Sequence, residues 1–341
     1  MFSMLVVLYL FLGGAGAGAC AVAALLGLLS PRDAVCVEVP SKATLAGAGA
    51  RRSCGGSASR CIVRAPLVYR KLLVPLFAVA LAAVSLGIVC LLLDLGRADR
   101  VLLLLTSPAP THIAVGAWAL VATAVLSAVL LCAWNAVALC FPLAVVRAME
   151  VLAIAVSFVA MAYTGLLLQT LDAVPLWGTV WLPVVFVLSS LSCGLALTMV
   201  TAQVAGSASL FGSVIRRIAV GDAAVITAES VASVLLVATA LHMMDALPAA
   251  DSTSAVAASS AAELLAGEFA WLFWGVFGGV GMAAPFAAET ALAVTARRTG
   301  APVPALAAFA VSACVLAGGL ALRFCLVQAG AHPLTYLPFG G

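Results

Sequence analysis

Eight stretches of this chain are apolar over lengths near 20 residues or more, and that pattern constrains its fold more than any other feature. They lie at 3–29, 72–93, 112–138, 143–169, 180–206, 218–244, 269–292 and 302–327. A hydrocarbon core about 30 Å thick takes about 20 helical residues to cross. Inside it every backbone N–H and C=O needs an internal partner, which only helices and closed barrels supply. These runs are far longer than barrel strands. Hydrophobic residues make up 65% of the chain and charged residues 9%, which leaves little from which to build a soluble domain. The predicted fold is an all-α polytopic membrane protein, one integral membrane domain over 1–341 with an eight-transmembrane-helix bundle. The first run lacks a basic n-region and exceeds the length of a signal-peptide apolar core, so it is expected to stay as a helix.

Basic residues set the orientation. With the N-terminus outside, 13 of the 16 Lys and Arg fall on inner segments. They run from Arg32 to Lys71 in the first loop and include Arg147, Arg216, Arg217, Arg297 and Arg298. Only Arg97, Arg100 and Arg323 fall outside. Both termini are therefore expected on the outer, periplasmic side of a bacterial cytoplasmic membrane. The net charge of +3 then faces anionic lipid and calls for no nucleic acid. The inner loop 30–71 is rich in Gly, Ser and Arg without apolar periodicity, and is expected to be flexible. Its thiols, Cys36, Cys54 and Cys61, do not have the spacing of a zinc or cluster motif. Free thiols suit a reducing inner side, and the other seven cysteines read as small hydrophobes in helices.

The segment Tyr163–Gly194 reads as two membrane helices joined by a tight hairpin, with Trp177 and Trp181 expected at headgroup depth. Polar groups of the outer half include Tyr9, Asp94, Arg97, His112 and Tyr163. A quinone site needs an apolar slot open to lipid and one or two groups for the ring oxygens, at least one able to exchange a proton. Tyr and His supply that chemistry. Tyr163 reads as the ring-oxygen partner or else as an interfacial anchor. Gly13, Gly14, Gly16 and Gly18 on the first helix read as close packing or as the lining of a site.

The inner half carries Asp222, Glu229 and Glu289. Intramembrane ionisable groups are costly and point to function. Asp222 and Glu229 share a helix face, and Glu229 lies about 18 Å by helical rise beyond Arg217, near the bilayer middle. These three read as a proton relay or as interhelical hydrogen bonds that pin the bundle. Haem is not expected, because the chain has only three histidines and none is mid-membrane, whereas a bis-histidine haem needs matched pairs. No nucleotide fingerprint or acidic metal cluster is present, so no haem or metal is expected in this chain.

Four blocks in order, YLFLGGAGAGA, LLLDLGRADR, YTGLLLQTLDAVPLWGTVWLPVVFVLSSLSCG and WGVFGGVGMAAPFAAE, together resemble the NrfD family. These are the membrane subunits of polysulfide reductase and related respiratory oxidoreductases. The resemblance implies a membrane anchor that takes electrons from menaquinol or another quinol. It passes them to a ferredoxin-like iron–sulfur subunit and on to a molybdopterin catalytic subunit. It also implies a quinone pocket in the first four helices at the outer face. Carried over by position, Tyr163 is the ring-oxygen partner, Tyr9 and Gly13 lie near the slot, and Asp94 and Arg97 stand at its mouth. Some members have a His or Asn near the start of helix one. SMLVVLYLF has neither, and His112 is taken in its place. The reading from another class is a secondary transporter, which also has helices broken by Gly and Pro and midplane carboxylates.

Overall fold

The computed structural model describes residues 4–30, 34–39, 51–53, 59–95, 112–135, 143–170, 175–207, 212–245, 260–299 and 304–331. Each apolar run forms a helix. They are α1 (Met4–Leu28), α2 (Ala65–Leu95), α3 (His112–Asn135), α4 (Leu143–Gln169), α5 (Trp181–Val204) and α6 (Gly212–Asp245). A π-helical segment, Leu272–Ala283, then continues into α7 (Ala284–Thr299), and α8 is Ala305–Ala331. Eight candidate spans are long and apolar enough to cross a membrane. The chain is a multi-pass membrane protein with a helical bundle.

The bundle is built round two helices. α1 packs on α2, α4 and α5 and also touches α3 and α8, while α5 packs on α1, α4, α6 and α8. In lipid there is no hydrophobic gain from helix association, so close packing of small residues decides which helices meet. On α1 the glycines are shared out among its neighbours. A Cβ on Gly13 would press on Leu120 of α3 at 3.2 Å, and one on Gly16 would meet the Val84 backbone nitrogen of α2 at 2.8 Å. A Cβ on Gly18 would overlap the Ser190 carbonyl of α5, and one on Gly194 would overlap Gly18 in return. The α1 and α5 backbones thus touch where neither has a side chain.

Two expectations change. Trp177, expected at headgroup depth, is in a short 3-10 turn (Pro175–Gly178) and is fully buried. Its indole Nε1 donates to the Leu326 carbonyl at 2.9 Å, and its ring lies on Gly330. It therefore ties the α4–α5 hairpin to α8, since a buried indole N–H needs an acceptor and the end of α8 provides one. The tryptophans exposed on the surface of the bundle include Trp118, Trp271 and Trp274. The loop 30–71, expected without regular structure, pairs in its described parts. Strands β1 (Ala34–Val39), β2 (Arg51–Ser53) and β3 (Ser59–Arg64) form an antiparallel sheet in the order β1-β3-β2, with Val37 opposite Cys61. The run AVCVEV alternates valine at every second position, a strand period that the Gly/Ser/Arg composition around it outweighed. Cys54 lies outside the described residues.

Gly18→Leu is expected to push α1 off α5 and lower the thermal unfolding midpoint in detergent by roughly 5–10 °C. Gly221→Leu, where an added Cβ meets nothing within 4 Å, is expected to leave it unchanged. Equal midpoints for the two variants would show that the seam is not what holds the bundle.

Candidate functional site

Two tyrosines meet in the half of the bundle made by α1–α4. Tyr9 lies about two turns into α1 and Tyr163 about two turns before the end of α4, which places both at one depth near the same end. Both are buried, at 1% and 5% exposure, so Tyr163 is an interior group and not a headgroup anchor. Its ring occupies the space left by Gly116 of α3, where a Cβ would overlap it. The two phenols interact with each other, but Tyr9 Oη makes no hydrogen bond of good geometry among the described residues. A pair of hydroxyls, each able to donate and accept, thus converges in an apolar setting of Val7, Leu10 and Leu120.

The other candidates of this half are placed differently. Gly13 is a packing residue, against Leu120 and against Gly87 of α2. Because Gly87 touches Gly13 and α2 runs antiparallel to α1, Asp94 lies beyond the level of Tyr9, at an exposed position. His112 is the first residue of α3; its side chain and all of Arg97 lie outside the described residues.

A polar line runs through the middle of the molecule, and sequence reasoning missed half of it. Arg323 of α8, expected near the outer end of its helix, is fully buried. Its Nε donates to the Leu10 carbonyl at 3.2 Å, Nη1 to the Gly319 carbonyl at 2.8 Å and to Ser189 Oγ at 3.2 Å, and Nη2 to Ser190 Oγ at 2.7 Å. The guanidinium also lies 5.7 Å from the Phe11 ring centroid and 5.3 Å from that of Phe186. An arginine in hydrocarbon is tolerated when its donors are met inside the bundle, and here α1, α5 and α8 meet them together.

From Arg323 the line continues along α5 and α6. Ser189 accepts from Arg323 and lies beside Glu229, which is 4% exposed. Two helical turns further, Ser192 Oγ donates to Asp222 Oδ1 at 2.7 Å. Asp222 in turn contacts Glu289 of α7. Asp222 Oδ2 and both oxygens of Glu289 have no donor among the described residues, so the two carboxyls form a hydrogen bond only when a proton lies between them. The structure thus gathers all three predicted acids, Glu229, Asp222 and Glu289, into one buried line. The signal for the missed part was present in SSLSC (189–193), three hydroxyls and a thiol within an apolar run, and in the lone arginine of α8. A fourth buried acid, Glu150 of α4, accepts from Trp134 Nε1 at 3.0 Å and rests on Gly27. Nothing in the pattern of its helix set it apart.

Among the described residues no group of three or more His, Cys, Asp or Glu side chains is placed to hold a metal ion. The arrangement offers hydroxyls for a polar ring and buried carboxyls that can carry protons.

Comparison with protein families finds one model, described as polysulphide reductase, NrfD, matching residues 57–334. Tyr163, Asp94, Asp222, Glu229, Glu289 and Arg323 fall inside the match, and Tyr9 and Gly13 fall before it. No curated protein matches the chain.

Arg323→Lys keeps the charge but replaces the fork with a point donor. It cannot meet Leu10, Ser189, Ser190 and Gly319 at once. A loss of about 2–4 kcal/mol in unfolding free energy is expected, measured by denaturant titration in mixed micelles. An unaltered stability would show that the fork is dispensable.

Proposed function

Since the chain belongs to the NrfD family, we propose that it is the membrane anchor subunit of a respiratory oxidoreductase complex and oxidises quinol. It passes two electrons to an adjoining iron–sulfur subunit, which feeds a molybdopterin catalytic subunit. Quinol binds beside Tyr163 and Tyr9, and the observation that carries this reading is their convergence at one depth among α1, α3 and α4. Oxidation of a quinol releases two electrons and two protons, so the ring hydroxyls need acceptors that can pass protons on. A phenol pair can accept a hydrogen bond from the quinol hydroxyls and donate one to the quinone carbonyls. Asp94 and Arg97 stand at the mouth of the site, and His112 is its second ring contact.

The end that carries Tyr9 and Tyr163 is the outer one. Arg70, Lys71, Arg147, Arg216, Arg217, Arg297 and Arg298 are all at the opposite end of the sequence's helices, and the positive-inside rule assigns that end to the cytoplasm. The location is thus a bacterial inner membrane.

The line Glu229–Asp222–Glu289 is a proton relay between the bilayer middle and the inner side. Arg323 marks where it meets the quinol half: its Nε is bonded to the carbonyl of Leu10, the residue next to Tyr9. The guanidinium at that junction is a fixed cation, bonded to Ser189 at the start of the acid line.

Tyr163→Phe removes one ring contact and leaves the ring packed on Gly116. In the assembled complex it is expected to slow quinol-dependent reduction of the clusters by about tenfold, the worth of one hydrogen bond. Full rate in this variant would sink the assignment of the site.

Glu229→Gln keeps the Ser189 contact but not the titrating group. Quinol oxidation, whose own two protons leave at the outer end, is expected to continue while the additional protons translocated from the inner side per electron fall by about half or more, read with a pH-sensitive dye inside proteoliposomes. An unchanged proton count would reduce the acids to structural hydrogen bonds.

A further inference from the structure

On the far side of the bundle from Tyr163, a cleft of about 410 Å³ opens between α6 and the π-helical segment. This lies within the range of about 300–1,000 Å³ typical of small-molecule sites. Its walls come from Ser233 and Val237 of α6 and from Phe273, Phe277 and Gly278 of the π segment, with Phe286 of α7 below.

Three features set the cleft apart from an ordinary groove between lipid-facing helices. The first is its backbone. Twelve consecutive residues, Leu272–Ala283, are π-helical, whereas π geometry elsewhere is mostly a single-turn bulge and often marks a functional site. The wider turn aligns Phe273 with Phe277, ring centroids 5.5 Å apart, and sets Trp274 edge-on to Phe273 at 5.3 Å. The wall is therefore a ladder of aromatic faces. The second is a missing side chain. A Cβ on Gly278 would meet nothing nearer than the Phe273 carbonyl at 3.6 Å, so the cavity is open space and not a close helix contact of the kind made by Gly281 with Gly318.

The third is Ser233. It is 7% exposed, and its Oγ has no hydrogen-bond partner among the described residues. Every other serine or threonine on α6 with a described hydroxyl bond caps a carbonyl of its own helix: Thr227 bonds Ala223, Ser230 bonds Ile226 and Thr239 bonds Leu236. A hydroxyl left unpaired in hydrocarbon is costly, and Ser233 lines the cleft. What it lacks is an acceptor.

We infer that this cleft is a second binding site for a membrane quinone, holding the flat ring against Phe273 and Phe277 with a ring carbonyl accepting from Ser233, and the isoprenoid tail leaving toward lipid. An acyl chain would fill the volume but bring no acceptor for Ser233 and gain nothing specific from ring faces. A quinone ring supplies both the acceptor and an aromatic-compatible face. The inference rests on the proposed function only in taking quinone to be present around the complex; the site is separate in space from Tyr9 and Tyr163, and it is a binding site with no redox step assigned to it.

The test is photolabelling of the intact complex in nanodiscs of phosphatidylglycerol and phosphatidylethanolamine, using an azido-naphthoquinone with a short isoprenoid tail and mapping adducts by peptide mass. Adducts are expected on peptides carrying 230–237 and 273–286, displaced by unlabelled naphthoquinone and not by an equal amount of a saturated-chain amphiphile. Gly278→Leu, whose Cβ comes no closer than 3.6 Å to a neighbouring atom and whose side chain fills the cleft, is expected to cut that labelling at least tenfold while labelling near Tyr163 persists. Ser233→Ala is expected to cut it several-fold, and it carries the test if the leucine variant does not assemble. Absence of adducts in those peptides, adducts undiminished in both variants, or equal displacement by the saturated amphiphile would overturn the inference. Labelling of the cleft with none at Tyr163 would instead remove the quinol site of the proposed function and leave this one standing.

Discussion

Contact between the α1 and α5 backbones at Gly18 and Gly194 is the constraint on which the other helix positions depend. Lipid offers helices no hydrophobic reason to associate, so the distance between axes is set by what stands between them. With no side chain at the crossing, α1 and α5 approach until main chain meets main chain. That approach brings Leu10, Ser189 and Ser190 close enough together to share one guanidinium. It also leaves α1 free to collect α2 and α4 on its other faces, and α5 to collect α6 and α8. The result is two helix groups on either side of a glycine seam, the tyrosine pair in one and the carboxyls in the other.

The polar interior follows from the same economy. Hydrocarbon gives no solvent to satisfy a stray group, so each buried polar atom must be matched by another of the chain. Ser189, Ser190, Ser192 and Cys193 on α5 form the common edge from which Arg323, Glu229 and Asp222 are met. Matching fails at Tyr9, Ser157, Ser260 and Ser312 as well as at Asp222 with Glu289 and at Ser233; at the carboxyl pair the shortfall calls for a proton, and at Ser233, which lines a cleft, for a ligand.

The fold was legible because its signal is one of length and polarity. Apolar runs of membrane-spanning length mark the helices whatever their packing, and all eight were placed within a few residues. Packing is another matter, since helices buried or lipid-facing on every side carry little periodicity. Nothing in the residues of the hairpin says that Trp177 turns inward, because interfacial and buried indoles occur at the same positions. Arg323 was read by its nearness to a helix end, although five residues are enough to move it from headgroup to core. Asp222, Glu229 and Glu289 were found because a charge in an apolar run is conspicuous, and Glu150 was passed over near the start of its helix beside Arg147; the serine partners were missed because serine is common in membrane helices. The π geometry of WGVFGGVG was hidden for the opposite reason. Its glycines were read only as a helix break of the transporter kind, whereas at Gly278 the structure uses the missing side chain to keep space open.

The acceptors for Arg323 bear on how the molecule is made. A solitary arginine at the centre of a spanning helix opposes insertion by about 2.5–3.5 kcal/mol, and α8 carries its arginine into the bilayer after α1 and α5 have left the ribosome. The groups that neutralise this penalty belong to the first and fifth spans, already in the bilayer by then. α8 is in this sense a keystone: it enters an arch whose two sides are standing, and its own charge tests whether they have been set correctly. A chain with α1 and α5 out of register offers no place for the guanidinium, so the docking of α8 becomes a proofreading step in membrane assembly.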